Sequence, residues 1–117
     1  MEFILHKNSF GSIAELQLNM VLTDVQDFLD MMANSNYQGT NMMVIHQHQV
    51  PPGFFELKTK IAGDILQKFS TYNQKLAIVG DFSGIESKSL CDFIRESNRV
   101  GRILFVGSLE EALEKLN

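Results

Sequence analysis

The residues best suited to chemistry in this chain follow three apolar runs of the kind that form buried strands. His46 and His48 come at and just after the run MMVI, Asp81 and Ser83 follow LAIVG, and Ser108 follows ILFVG. In open parallel sheets, ligands bind beyond the carboxyl ends of the strands, which meet at one edge. We therefore expect His46, His48, Asp81, Ser83 and Ser108 to be the candidate ligand-binding residues.

Two interpretations of these residues remain open. His46 and His48 share one face if the strand continues that far, and with Asp81 they would make a metal or acid/base constellation. Alternatively, the histidines are polar residues of a loop ahead of Pro51-Pro52, and Asp81 bonds to the backbone of its own turn. Since the sequence has no HxxxH or CxxC spacing, it assigns no catalytic residue, metal ligand or cofactor.

Composition limits the classes of function. The chain has 117 residues, a net charge of −4 and one cysteine, Cys91. This length predicts a single domain over residues 1–117, and the lack of a basic cluster argues against nucleic-acid binding. A lone cysteine is typical of a reducing cytoplasm. The apolar runs are too short to span a bilayer, and the first six residues have the pattern of a strand and not of a signal peptide.

A unit that occurs twice near the end of the sequence indicates the fold class. Lys75–Gly80 and Arg102–Gly107 are apolar runs that end in glycine and lead into a helical pattern. A strand that is buried on both faces and enters a crossover helix has this pattern. Ser87 is expected to begin the first of these helices and Gly101 to end it, and Ser108–Glu111 is a capping box for the second.

The first half of the chain predicts a hairpin and a helix. Phe3–His6 and Ser12–Leu18 are strand candidates around the turn-forming residues 7–11. Thr23–Gln26 has the pattern of a capping box. The helix that follows would bury one apolar stripe at helical spacing: Val25, Phe28, Leu29, Met32 and Ala33.

A buried strand at Met42–His46 and the longest helix follow. Pro52 is suited to the first helical position, and apolar residues then recur at steps of three and four: Phe54, Leu57, Ile61, Ile65, Phe69 and Tyr72. We therefore expect one helix from Pro52 to Tyr72, with Ile61 and Ile65 directed at the sheet. Gly63 inside it would allow the backbone to approach the sheet closely.

The resulting element order is β-β-α-β-α-β-α-β-α. After the hairpin, every link between strands contains a helix, which implies parallel neighbours and right-handed crossovers. The expected fold is α/β, with a mostly parallel five-stranded sheet, an N-terminal hairpin and helices gathered mainly on one face, like the turns of a βα superhelix.

This order, with its acidic terminal helix EEALEKL, resembles the STAS (SpoIIAA-like) fold. Four segments more closely resemble an uncharacterised bacterial family, domain of unknown function 4180: DVQDFLDMMANSNYQG, FFELKTKIAGDILQKFSTYNQKLAIVGDFS, SKSLCDFIRESN and GRILFVGSLEEALEKL. The resemblance covers nearly the whole chain and implies a fold, but no activity.

One departure from the STAS pattern concerns regulation. STAS anti-sigma-factor antagonists carry a phosphorylatable Ser or Thr where the helix after the third strand begins. The matching residues 47–53 have no hydroxyl group, and Thr59 is predicted to lie well inside the helix. The sequence therefore does not support a phosphorylation switch at residues 47–53.

Two functions follow from these observations. The first is a small cytoplasmic, non-catalytic regulatory module that binds a protein partner or itself, because the resemblance is STAS-like and a catalytic set is missing. The second is a small-ligand- or metal-dependent enzyme whose site, at the carboxyl edge of the sheet, uses His46, His48 and Asp81.

Overall fold

Five strands and four α-helices make up the α/β fold of the computed structural model, which describes residues 1–8 and 11–116. The strands are β1 Phe3–Asn8, β2 Gly11–Leu16, β3 Met42–His46, β4 Lys75–Val79 and β5 Ile103–Val106. The helices are α1 Val25–Tyr37, α2 Ile61–Thr71, α3 Lys88–Val100 and α4 Leu109–Leu116. This order of elements confirms the sequence prediction. Ser9 and Phe10, in the predicted hairpin turn, lie outside the described residues.

The sheet is mixed, and its strand order follows the chain, β1-β2-β3-β4-β5. β1 pairs antiparallel with β2, and Phe3 lies opposite Leu16. The pairs β2–β3, β3–β4 and β4–β5 are parallel. The prediction of a mostly parallel sheet is therefore corrected to a mixed sheet, because the hairpin contributes an antiparallel pair. β2 also ends two residues earlier than predicted, at Leu16 and not Leu18.

The two faces of the sheet are covered unequally. Alternate strand residues point to opposite faces. One face packs against α1, α2 and α3 and holds the larger cluster of buried side chains, including Phe28, Ile65 and Phe69. The other, here called the α4 face, packs against α4 through Ala112 and Leu116. α4 contacts β3, β4 and β5, whereas Ile4 of β1, on the same face by alternation, remains 43% exposed.

The predicted long helix is much shorter in the structure. α2 begins at Ile61, and a single turn of 3-10 helix at Leu57–Thr59 precedes it. The Thr59 hydroxyl lies 2.7 Å from the carbonyl oxygen of Gly53 and 2.8 Å from that of Glu56. Such side-chain bonds to the backbone compete with helix formation. Pro52 is therefore not the first helical residue, and Thr59 precedes the helix instead of lying inside it.

The apolar positions of the predicted long helix have mixed outcomes. Phe54, Ile65 and Phe69 are buried as expected, although Phe54 belongs to the irregular segment before α2. Ile61 is only half-buried and Tyr72 is exposed. Gly63 is exposed, and a Cβ added there would meet nothing within 4 Å. The prediction of a close backbone approach at Gly63 is therefore wrong.

The N-terminus of α1 also differs from the prediction by one residue. Asp24, not Thr23, is the N-cap, and its carboxylate accepts a hydrogen bond of 2.9 Å from the Asp27 amide. The Thr23 hydroxyl instead donates to the Asp27 carboxylate at 2.7 Å. A carboxylate is a stronger acceptor than a hydroxyl. The buried stripe also shifts, and its members are Phe28, Met31, Met32 and Ser35.

The caps of the last two helices agree with the sequence. The Ser87 hydroxyl accepts a hydrogen bond from the Leu90 amide at 3.2 Å, and Gly101 ends α3 with a φ of +86°. That left-handed conformation favours glycine. The Ser108 hydroxyl accepts a hydrogen bond from the Glu111 amide at 3.1 Å. The Glu111 carboxylate accepts one from the Gly107 amide at 3.2 Å, one residue before the position that a capping box predicts.

Candidate functional site

The predicted site residues lie near the carboxyl edge of the sheet but bind different partners. His48 Nε2 lies 3.0 Å from the carbonyl oxygen of Leu18. Asp81 accepts hydrogen bonds from the amide of Ser83 at 3.0 Å and from its hydroxyl at 2.6 Å. This is the local turn that the sequence offered as the alternative to a catalytic or metal-binding role for Asp81.

The remaining two predicted residues, Ser108 and His46, do not complete a metal site. Ser108 caps α4. His46 lies at the end of β3, and its ring centroid is 6.2 Å from that of His48. Among residues 1–8 and 11–116, no group of three or more His, Cys, Asp or Glu side chains is arranged to hold a metal ion. The constellation of His46, His48 and Asp81 is therefore not assembled as a metal site in the described structure.

A different cluster forms on the α4 face, where Glu15 lies between two histidines. Its carboxylate is 2.8 Å from His6 Nε2 and 2.7 Å from His46 Nε2. The three residues belong to the adjacent strands β1, β2 and β3. Since Glu15 pairs with Ile4 on one side and with Val44 on the other, each histidine is a diagonal neighbour within side-chain reach.

The environment of Glu15 keeps it ionised. The residue is 5% exposed, and burial alone would raise its pKa. Hydrogen bonds from His46 and His6, together with the charge those rings carry when protonated, outweigh burial and hold the pKa of Glu15 below its ordinary value. An ionised carboxylate only accepts hydrogen bonds, so the Nε2 atom of each ring carries the proton. In the neutral ring this leaves Nδ1 as the basic nitrogen.

Sequence reasoning found His46 but missed Glu15 and His6. Glu15 stands between Ala14 and Leu16 in a strand with neighbours on both sides. Glu15 is 5% exposed there, and a buried charge needs partners. Glu15 was therefore the residue from which the sequence could have indicated a buried polar cluster. Its partners were not deducible, because they depend on the register of β2 with β1 and with β3.

The β1 edge, meaning the side of β1 away from β2, has backbone groups that form no hydrogen bond with the described residues. The carbonyl oxygen of Glu2 accepts a hydrogen bond from the Gln17 amide at 3.1 Å. In antiparallel pairs, alternate residues direct both polar backbone groups to the same side. Those of Phe3, Leu5 and Lys7 therefore point away from β2. Within the described part of the chain, no strand pairs with this edge.

The opposite edge of the sheet, at β5, is protected by α3. The Asn98 side chain accepts a hydrogen bond from the Phe105 amide at 2.7 Å and donates one to the Phe105 carbonyl oxygen at 3.3 Å. The Ser97 hydroxyl donates to the carbonyl oxygen of Ile103. Because side chains occupy these outward backbone groups, β5 is unsuited to strand pairing, whereas the described structure leaves β1 available.

Comparison with known proteins gives a family. The sequence model described as Domain of unknown function (DUF4180) matches residues 11–116. Searches of the curated proteins and of the solved structures returned no match. Among the helices described, none is both long and apolar enough to cross a membrane. Since the matched region includes β2 to β5 and all four helices, the chain belongs to the DUF4180 family.

Proposed function

We propose that this domain is a non-catalytic regulatory module that binds a partner protein by adding a strand to the β1 edge. The proposal includes a STAS-like architecture, which the sequential strand order and the grouping of α1, α2 and α3 on one face support. It also places the domain in a bacterial cytoplasm, where the free thiol of Cys91 would stay reduced.

The difference between the two sheet edges carries this proposal. Proteins usually protect edge strands, because unpaired N–H and C=O groups invite pairing with another chain. Here the side chains of Ser97 and Asn98 occupy the β5 edge. Among the described residues, no side chain bonds to the outward backbone groups of β1. The strand contains no proline, and its single lysine, Lys7, lies near its end. An edge of this kind is suited to recognition by strand addition, in which backbone hydrogen bonds give affinity.

The side chains of β1 add apolar surface beside these backbone groups. Ile4 on the α4 face is 43% exposed, and Leu5 on the opposite face is 36% exposed. Phe3 is half-buried and packs against the larger cluster of buried side chains, which includes Phe28, Ile65 and Phe69. A strand added to β1 would therefore cover apolar side chains on both faces of the sheet, which supplies a hydrophobic contribution to binding.

The test compares two variants that each place a lysine on the surface. Leu5→Lys puts a charge on the β1 edge, and Val100→Lys puts one at the end of α3, where Val100 is 62% exposed. The native protein, each variant and a mock column are used to capture partners from a host extract. We expect a partner protein that the native protein and Val100→Lys capture, and that Leu5→Lys and the mock column do not. The captured partner, or a second copy of the chain, is then titrated as purified protein.

Equal binding of the purified partner to all three proteins would show that the β1 edge is not the interface. Failure of the native protein to bind any partner, including a second copy, would contradict the proposed function as a whole. Far-ultraviolet circular dichroism of the two variants verifies that both are folded.

A second candidate function is a small-ligand-dependent enzyme at the carboxyl edge. The observation that favours it is the position of His46 at the end of β3, where the buried carboxylate of Glu15 orients its ring. A carboxylate-bound imidazole is a common general base. A thermal-shift screen with divalent metals and metabolites tests this candidate, since a ligand at 100 times its Kd should add about 2.7 kcal/mol of stability. A panel that gives no shift would argue against it.

A further inference from the structure

We infer that the strand added to the β1 edge is β1 of a second copy of this chain, antiparallel and in one register, with Ile4 opposite Ile4 across a two-fold axis. This inference rests on the proposed function, because it requires the β1 edge to be an interface. It adds the identity of the partner and the register.

The backbone restricts the possible registers. The N–H and C=O groups of Phe3, Leu5 and Lys7 point away from β2. The backbone groups of the residues that alternate with them, beginning with Glu2, point towards β2. In an antiparallel pair, an outward-bonding residue must lie opposite another outward-bonding residue. The two-fold axis that relates the two strands must therefore lie at a residue position, so that this residue faces the same residue of the second copy. Between Phe3 and His6, this leaves axes at Phe3, Ile4, Leu5 or His6.

Side-chain complementarity selects the axis at Ile4. In that register Glu2 faces His6 of the second copy, Phe3 faces Leu5, and Ile4 faces Ile4. Opposite charges and apolar pairs directly across strands are the favourable combinations. An axis at Leu5 would place Phe3 opposite Lys7, and an axis at His6 would place Leu5 opposite Lys7. An axis at Phe3 would place Glu2 opposite Ile4. Only the axis at Ile4 pairs every one of these side chains with a suitable neighbour.

The same register makes His6 a link between the interface and the buried cluster. His6 donates Nε2–H to Glu15 on β2, and Glu15 also binds His46 on β3. In the pair, Glu2 of the second copy would face the same ring from its other side. A protonated His6 has two N–H donors and can serve both carboxylates, whereas a neutral ring has one. The two symmetric pairs of Glu2 and His6 should therefore contribute to association.

The expected effect follows from two symmetric pairs of Glu2 and His6. One solvent-exposed ion pair changes an equilibrium constant about 1.4- to 5-fold. Two such pairs should make the dissociation constant of the native protein about 2- to 30-fold lower than that of Glu2→Gln, which lacks both. Sedimentation equilibrium of the native protein and of this variant measures the difference. Glu110→Gln, on the exposed surface of α4, should leave the dissociation constant unchanged.

Cysteine cross-linking tests the register directly. Ile4→Cys, Leu5→Cys and Phe3→Cys are made with Cys91→Ser and oxidised under mild conditions. The residues on the two-fold axis have Cα atoms about 4.5 to 5.5 Å apart, which lies within the range for a disulfide of about 4.4 to 6.8 Å. We expect Ile4→Cys to form the covalent dimer much faster than Leu5→Cys or Phe3→Cys.

Each outcome separates this inference from the proposed function. Faster cross-linking of Leu5→Cys or Phe3→Cys would overturn the register and leave the β1 edge as an interface. A protein that stays monomeric at high concentration would overturn self-pairing, and the capture experiment with Leu5→Lys would then decide the proposed function alone. A dimer that Leu5→Lys leaves intact would contradict both. A dimer with the expected cross-link but no response to Glu2→Gln would overturn the role of His6.

Discussion

Replacement of Glu15 tests whether the cluster on the α4 face stabilises the fold. Glu15→Ala removes the carboxylate that accepts hydrogen bonds from His6 at 2.8 Å and from His46 at 2.7 Å. Hydrogen bonds to charged groups contribute about 1.5 to 3 kcal/mol each, so the two bonds together represent about 3 to 6 kcal/mol before any compensation.

Two effects reduce that sum. Removing Glu15 also removes the cost of burying its charge. The His6 and His46 side chains are 26% and 21% exposed, so water can replace part of the lost bonding. We expect Glu15→Ala to lower the free energy of unfolding by about 1 to 3 kcal/mol at neutral pH. Glu15→Gln, which keeps the shape and an acceptor oxygen, should cost about half as much.

The pH dependence gives this prediction its sign. The pKa of Glu15 is lower in the folded protein than its ordinary value of 4.5. Ionised Glu15 therefore contributes stability that is fully present above about pH 4.5 and is lost as the pH falls through the folded pKa. Urea unfolding of the native protein and Glu15→Gln should show a gap at about pH 5 that narrows towards about pH 3.

Two results would refute this reasoning about Glu15. The first is a decrease in the free energy of unfolding of less than about 0.5 kcal/mol for Glu15→Ala, which is well under the net contribution of one hydrogen bond to a charged group. The second is a gap between the native protein and Glu15→Gln that widens as the pH falls. A double-mutant cycle of Glu15→Gln with His46→Gln measures the coupling between the two residues and shows whether they act as one unit.

Three further stability predictions follow from single contacts, each measured by chemical denaturation. Ile65→Ala should cost about 2 to 5 kcal/mol, because Ile65 is fully buried in the main core, and a loss under about 1 kcal/mol would mean that α2 presents another face to the sheet. Ser87→Ala should cost about 0.5 to 2 kcal/mol by removing the cap of α3, whereas Ser89→Ala, at an exposed position two residues further on, should cost much less. Asn98→Ala should cost about 1 to 3 kcal/mol, because it leaves the backbone groups of Phe105 without their partner, and an unchanged midpoint would show that water replaces the amide.

The order of elements was predictable from the sequence because short-range patterns determine it. The runs at Met42–His46 and Lys75–Gly80 are almost continuously apolar, as strands with neighbours on both sides require. Ser87 and Gly101 marked the ends of α3 correctly, since capping depends on residues only a few positions apart. The start of α2 was missed because Phe54 and Leu57 keep helical spacing, while the bonds of the Thr59 hydroxyl hold a turn there.

The candidate site was less predictable, because its members are distant in the sequence. His6 lies 9 residues before Glu15, and His46 lies 31 residues after it. Only the pairing register of three strands brings them together, and a shift of one residue would turn a side chain to the opposite face. The position of Thr59 was mispredicted for a different, local reason, namely the turn that its hydroxyl stabilises. With the helix starting at Ile61, Thr59 stands just before α2, so its predicted position no longer excludes it from phosphorylation.

The lone position of α4 on its face of the sheet has a consequence for protein synthesis. Of the elements described, α4 is the last that a ribosome would produce, after all five strands. A nascent chain that has released β5 but not α4 would expose the apolar residues that α4 later covers, including Val44, Ala77 and Leu104. Exposed surface of this kind makes partly folded chains prone to aggregate. Truncation of the chain before Leu109, which keeps β5 but removes α4, should therefore increase the dependence of the chain on chaperones.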